Sequence, residues 1–172
     1  MNPWPDLRPV LTGIPWAVVG GVATRAYMPE RATRDLDILV RLQDEVEVQA
    51  RLVAAGYTVV SRLALPGFLV RAPDGAEIDV ILGSYPWLAE GLNHVRHDPA
   101  GYPVLDLPYL VIMKMISSRG RDVGDVTTML GLASDSELDR MRRVVARYAP
   151  DDVADLESLI YLGRVEMQGN PD

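Results

Sequence analysis

Asp35 and Asp37 stand two residues apart in the stretch RDLDILV, at the head of an apolar run. Residues two apart in a strand project to the same face, so the two carboxylates come together while Leu36 and Ile38 alternate with them. Such a pair repels unless it is solvated or shares a cation, and all-oxygen ligation suits magnesium or manganese. Asp79, in AEIDVIL, can add a third carboxylate from a neighbouring strand. Three acids around one or two divalent ions suit the transfer of phosphoryl or nucleotidyl groups. Acidic pairs two apart also occur at Glu45/Glu47, Glu77/Asp79, Asp135/Glu137, Glu137/Asp139 and Asp155/Glu157. Most of these fall in helical patterns, where the two positions do not share a face. Spacing alone therefore leaves a ligand role and a solvated role both open for Asp35 and Asp37.

The second signal is Gly20-Gly21, between the apolar run WAVV and the segment VATRAYM. A glycine pair between strand and helix lets the backbone approach an anion, with free amides and the positive helix end aimed at a phosphate. A plain tight turn has the same composition. Among Arg25, Arg31, Arg34 and Arg119, the first choice for a phosphate contact is Arg25, just after the turn. With no cysteine in the chain and only His94 and His97 as imidazoles, a metal must be held mainly by oxygen. The two histidines lie near Pro99, which shortens any helix that could present them together, and read as surface residues. Trp16, Tyr85 and Trp87 could stack on a base or fill the core.

These residues need strands to carry them. WAVVG (16–20) reads as a strand, VATRAYM as a short helix ended by Pro29, and DLDILV (35–40) as a second strand. Asp44 and Glu47 open a helix that runs to Gly56, and YTVVSRLAL suggests a third strand. FLVRAP and AEIDVIL flank Asp74-Gly75, a strong hairpin signal. From residue 105 the pattern turns helical: PYLVIMKMISS behind Asp106, RDVGDVTTML up to Gly131, a helix capped by Ser134 with Glu137, and a last one over about 151–162.

The chain has 172 residues, enough for one domain of ordinary size. Its net charge of -7 argues against a broad basic surface for nucleic acid. No stretch approaches the ~18 consecutive apolar residues of a membrane span, and the N-terminus lacks the features of a signal peptide. A soluble, cytoplasmic protein is expected.

Gly-Gly, thirteen intervening residues, Asp-Leu-Asp ahead of an apolar strand, and a later Glu-Ile-Asp-Val-Ile together resemble the nucleotidyltransferase superfamily that shares the DNA polymerase beta fold. The resemblance covers residues 16–82. It implies an α+β fold, a mixed twisted β-sheet with a C-terminal helical part, in which residues 1–104 form the core and 105–172 pack on it as one compact unit. It also implies that Asp35, Asp37 and Asp79 hold Mg2+ or Mn2+ bound to a nucleoside triphosphate, with Gly20 and Gly21 at the phosphates. Gly21 stands where the Gly-Ser form of the motif has a serine, so that contact falls to backbone amides or to Thr24. Arg25 and Arg34 join the nucleotide-binding set.

RATRDLDILV looks like the approach to the Asp pair in AbiEii-type toxins and in lincosamide and aminoglycoside nucleotidyltransferases. Lys114 interrupts the apolar run YLVIMKMI, and SSRGRDVGDVTTML resembles the basic-acidic helix of the AbiEii-like branch. Lys114 is therefore a catalytic candidate and Asp122 a nucleotide-binding one, with Arg121 and Asp125 behind them. A snorkelled lysine and a helix-dipole role for Asp122 and Asp125 are the structural alternatives. The resulting expectation is in-line attack by an acceptor hydroxyl on the alpha phosphorus of a nucleoside triphosphate, with pyrophosphate leaving. The toxin-like form would act on RNA or protein and have an antitoxin partner. The alternatives are a small-molecule (antibiotic) nucleotidyltransferase and a catalytically silent binding module.

Overall fold

Four consecutive buried residues, Trp16–Val19, form strand β1, and the chain leaves it at Gly20. The structure, a computed structural model, describes residues 4–30, 32–33, 35–117 and 120–169, without the side chain of Arg121. Gly20–Ala23 make a single helical turn, α1, continued by a 3-10 turn over Thr24–Ala26. This is shorter than the helix to Pro29 that the sequence indicates. Strand β2 spans Leu36–Arg41 and buries Leu36, Ile38, Leu39 and Val40, while Asp37 stays half-buried. Helix α2 (Glu45–Ala54) follows, then β3 (Thr58–Arg62), β4 (Gly67–Arg71) and β5 (Glu77–Gly83).

The β4–β5 connection is the hairpin expected at Asp74-Gly75. Ala72 N donates to Ala76 O at 2.8 Å, Gly75 N to Ala72 O at 2.9 Å, and Gly75 takes a φ of 91°. Beyond β5, helix α3 (Leu88–Asn93) and the two-residue strands β6 (Arg96–His97) and β7 (Pro103–Val104) go past what the patterns indicated. Among the described residues seven strands form one mixed sheet, ordered β3-β4-β5-β2-β1-β7-β6. β1 runs antiparallel to β2, and β2 runs parallel to β5. The central strands are buried on both sides, which explains their nearly unbroken apolar sequences.

The chain divides into two compact units, Met1–Ala26 with Arg31–Leu105, and Tyr27–Glu30 with Asp106–Asp172. The second is helical: α4 (Leu107–Ser117), α5 (Gly120–Leu132), α6 (Asp135–Tyr148) and α7 (Val153–Gln168). The Ser134 capping box is present, with Glu137 N donating to Ser134 Oγ at 3.3 Å and Ser134 N to Glu137 Oε2 at 2.8 Å. α7 extends six residues past the expected end at 162 because nothing after Gly163 breaks it before Gly169. Among the described residues no helix is long and apolar enough to cross a membrane.

Candidate active site

Asp37 lies at the meeting point of three strands. Across the antiparallel pair it faces Val19, the last residue of β1, and across the parallel pair it is in register with Asp79 of β5. Residues in register on paired strands direct their side chains to the same face. The sheet thus sets Asp37 beside Asp79 and directly under the departure of the chain from β1. Gly20 makes that departure with φ at 65°, a left-handed conformation that glycine adopts without steric cost. A Cβ placed there would overlap Asp37 Oδ2 and come within 2.8 Å of its Cγ. The glycine turn and the carboxylate are packed against each other.

Asp35 precedes β2 by one residue and is exposed, whereas Asp37 and Asp79 are half-buried. Burial pushes the Asp79 carboxyl above the ordinary carboxylate range, and the charges of Asp35 and Glu77 push it further. Asp35 is therefore within electrostatic reach of Asp79. Among the described residues no group of three acidic or imidazole side chains is already closed into a ligand shell. The donors at this corner are all carboxylate oxygens, and that chemistry fits a hard divalent cation.

Thr24 and Arg25, both expected at the phosphates, have partners within the protein. Thr24 is fully buried, and its hydroxyl donates to Gly21 O at 2.8 Å, which ties the turn to itself. Arg25 Nε donates to Asp98 Oδ2 at 2.5 Å in a pair whose side chains are 10% and 0% exposed. Asp98 gave no signal in the sequence, because an Asp in HDPAGY looks like any turn residue. Arg34, Arg31 and Arg119 lie outside the described residues, as does the side chain of Arg121.

In the helical unit Lys114 is 5% exposed and donates from Nζ to Asp122 Oδ1 at 2.9 Å and to Asp125 Oδ2 at 2.8 Å. Ser117 Oγ also donates to Asp122. Burial would raise the Asp122 carboxyl, but the hydrogen bonds from Ser117 and Lys114, with the lysine charge, hold it below its ordinary value. So Lys114 does not snorkel to solvent. It borders a cleft of about 300 Å³ together with Asp122, Val126, Asp155 and Leu159.

The remaining candidates serve the fold. His94 Nδ1 lies 2.9 Å from Glu90 O at the end of α3, and His97 pairs with Pro103 in the sheet. Trp16 and Trp87 are buried, and Trp87 stacks on Tyr85 with centroids 4.8 Å apart, so neither tryptophan is open to a base.

A glycine turn leaving the strand next to an Asp-x-Asp strand, with the third acid on the strand beyond, is the arrangement of the nucleotidyltransferase fold, which the chain resembles. Within that class it resembles the antibiotic nucleotidyltransferases. Residues 10–86 match the model of the family described as aminoglycoside-2''-adenylyltransferase, and that span holds both glycines and all three carboxylates. Among solved structures, the crystal structure of ANT(2'')-Ia in complex with adenylyl-2''-tobramycin is 16% identical, with 94% of each chain covered and a TM-score of 0.51. The solution structure of ANT(2'')-Ia is 14% identical over 95% of this chain and 90% of that one, with a TM-score of 0.49. Lincomycin-bound LnuA, a lincosamide adenylyltransferase, is 11% identical over 81% and 90%, with a TM-score of 0.48. At 16% identity the likeness is one of fold. No curated protein matches the sequence.

Proposed function

We propose that this nucleotidyltransferase moves an adenylyl group from ATP to a hydroxyl of a small, antibiotic-type acceptor. The acceptor oxygen forms a bond to the alpha phosphorus, the bond to the bridging oxygen of pyrophosphate breaks, and the hydroxyl proton passes to a base. The observation that carries the reading is the Gly20, Asp37 and Asp79 corner lying within the span matched by the adenylyltransferase family. Amides of the glycine turn bind the phosphates. Asp35, Asp37 and Asp79 would hold magnesium or manganese, which when bound neutralises charge developing on the triphosphate. Asp79 is the candidate acceptor of the hydroxyl proton. The net charge of -7 favours a cationic acceptor over RNA.

The family match favours a small-molecule acceptor over the toxin-like reading drawn from the Lys114–Asp125 motif. The test is transfer from alpha-labelled ATP, CTP, GTP and UTP, with magnesium, into separated small-molecule, RNA and protein pools. The small-molecule pool contains added aminoglycosides and lincosamides, and the Asp35→Ala, Asp37→Ala double variant runs beside the wild type. Label from ATP in the small-molecule pool, absent with the variant, is the expected result. Label in RNA or protein returns the toxin-like reading, and no label anywhere supports a silent module.

A further inference from the structure

Behind the glycine turn lies a second charged group that the transfer reaction does not use directly. β7 runs parallel to β1, with Val104 opposite Val18, and Leu105 N donates to Val18 O at 3.0 Å. The β6–β7 hairpin is thus attached to β1 two residues before Gly20. The loop of that hairpin is built on Asp98, whose Oδ1 accepts from Ala100 N at 2.9 Å and from Tyr102 N at 2.8 Å. Its Oδ2 is left for Arg25, on the 3-10 turn that continues α1. Tyr102, fully buried, donates its hydroxyl to Trp4 O and Pro5 O, each at 2.9 Å, and its ring lies 5.8 Å from the Arg25 guanidinium carbon.

The turn is consequently tied to one hairpin on both sides, through Val18 before it and Arg25 after it. Both charges of the second tie are withdrawn from water, which is costly unless geometry and hydrogen bonding are good. Releasing Arg25 toward a phosphate would leave Asp98 buried beside two amides without its cation. Arg25 is therefore committed to the fold.

We propose that the Arg25–Asp98 pair is a positioning device that fixes the glycine turn for the triphosphate, acting through the turn rather than by touching phosphate. This rests on the nucleotidyl-transfer reading. A rigid anchor matters because the amides of Gly20 and Gly21 have no side chains to hold them in place, and small misplacements of binding groups are felt strongly.

A double-mutant cycle tests the proposal. The dissociation constant of α,β-methylene-ATP with magnesium is measured by calorimetry for wild type, Asp98→Asn, Arg25→Gln, Arg25→Lys and the Asp98→Asn, Arg25→Gln double variant. Asp98→Asn keeps the acceptor for Ala100 N and Tyr102 N and removes only the charge. We expect each neutral variant to weaken binding about tenfold, the double variant to be no weaker than either single one, and Arg25→Lys to recover part of the loss. KM for the acceptor stays unchanged. Wild-type affinity in Asp98→Asn beside weakened binding in Arg25→Gln would show a direct phosphate contact and overturn the proposal. Wild-type affinity in all folded variants, with only the active fraction reduced, overturns it too. If a neutral variant does not fold, Arg25→Lys alone decides: unchanged nucleotide affinity overturns the proposal. Failure of the wild-type protein to bind the analogue sinks the nucleotidyl-transfer reading itself.

Discussion

Gly20 and Asp37 occupy space that only a glycine leaves available: a Cβ at position 20 would lie 2.8 Å from the Asp37 carboxyl carbon and overlap Oδ2. Gly75 provides the control, because it also has positive φ, 91°, and a Cβ there would meet nothing within 4 Å. Alanine at either position costs about 1–2 kcal/mol for the left-handed backbone. Only Gly20→Ala also displaces a carboxylate at the site. Transfer is expected to fall about 100-fold or more in Gly20→Ala and to stay near wild type in Gly75→Ala once corrected for folded protein. Steady-state rates beside denaturant midpoints would decide, and equal activity losses in both would remove the steric link from the explanation.

Asp79 predicts a trade between stability and activity. Burial, and then the Asp35 and Glu77 charges, make the folded protein hold the Asp79 proton more tightly than the unfolded chain does. Stability attributable to Asp79 therefore falls as pH rises from the ordinary carboxylate value through the raised one, and the penalty stays constant above both. Asp79→Asn should raise Tm at neutral pH without divalent ions, flatten that part of the pH profile, and abolish transfer. Magnesium should raise the wild-type Tm at neutral pH and do so less in acid. A lower Tm for Asp79→Asn in metal-free buffer would contradict the assignment of charge strain to this corner.

Lys114 works in the opposite sense. It is nearly buried between Asp122 and Asp125, so Lys114→Met removes the cation from a desolvated cluster and should cost about 3–5 kcal/mol. Asp122 holds its proton less readily in the folded state than in the unfolded one, despite its burial, because Ser117 and Lys114 donate to it. Its contribution is present above the ordinary carboxylate range and is lost as pH falls through the lowered value. Lys114→Met should therefore both lower the denaturant midpoint at neutral pH and reduce the acid sensitivity of the midpoint. A loss of transfer without any change in midpoint would instead assign Lys114 to the reaction.

What the sequence discloses here is local, and what it hides depends on pairing. Strand β2, the Asp74-Gly75 hairpin and the Ser134 cap follow from neighbouring residues, and the structure has each of them. The register that sets Asp37 beside Asp79 comes from a parallel pairing of strands about forty residues apart, which residue spacing alone does not specify. The partner of Arg25 was not legible because Asp98 is far along the chain in a hairpin whose strands have two residues each, too short for any periodic signal. Thr24 was legible only as a residue beside the turn, not by its partner. A hydroxyl next to a glycine turn reads as a ligand, yet in a tight helical turn it finds the carbonyl three residues back first.

The last relationship concerns the helical unit, where α5 and α7 cross on two glycines. A Cβ on Gly131 would lie 2.5 Å from Gly163 O, and one on Gly163 would lie 2.8 Å from Gly131 N and overlap Thr127 O. These obstacles are backbone atoms, which no rotamer change relieves. Alanine would improve helix propensity by up to about 1 kcal/mol per site, so an increase in stability is the outcome if the helices can part freely. Close packing predicts the reverse: Gly163→Ala should be destabilising by about 1–3 kcal/mol, because the two backbones must separate and lose contact along their length. Gly124→Ala, on α5 with nothing within 4 Å of its Cβ, should be neutral or stabilising. Denaturant midpoints for the two variants, read against wild type, give opposite signs if the crossing is as close as the backbone contacts indicate, and the same sign if it is not.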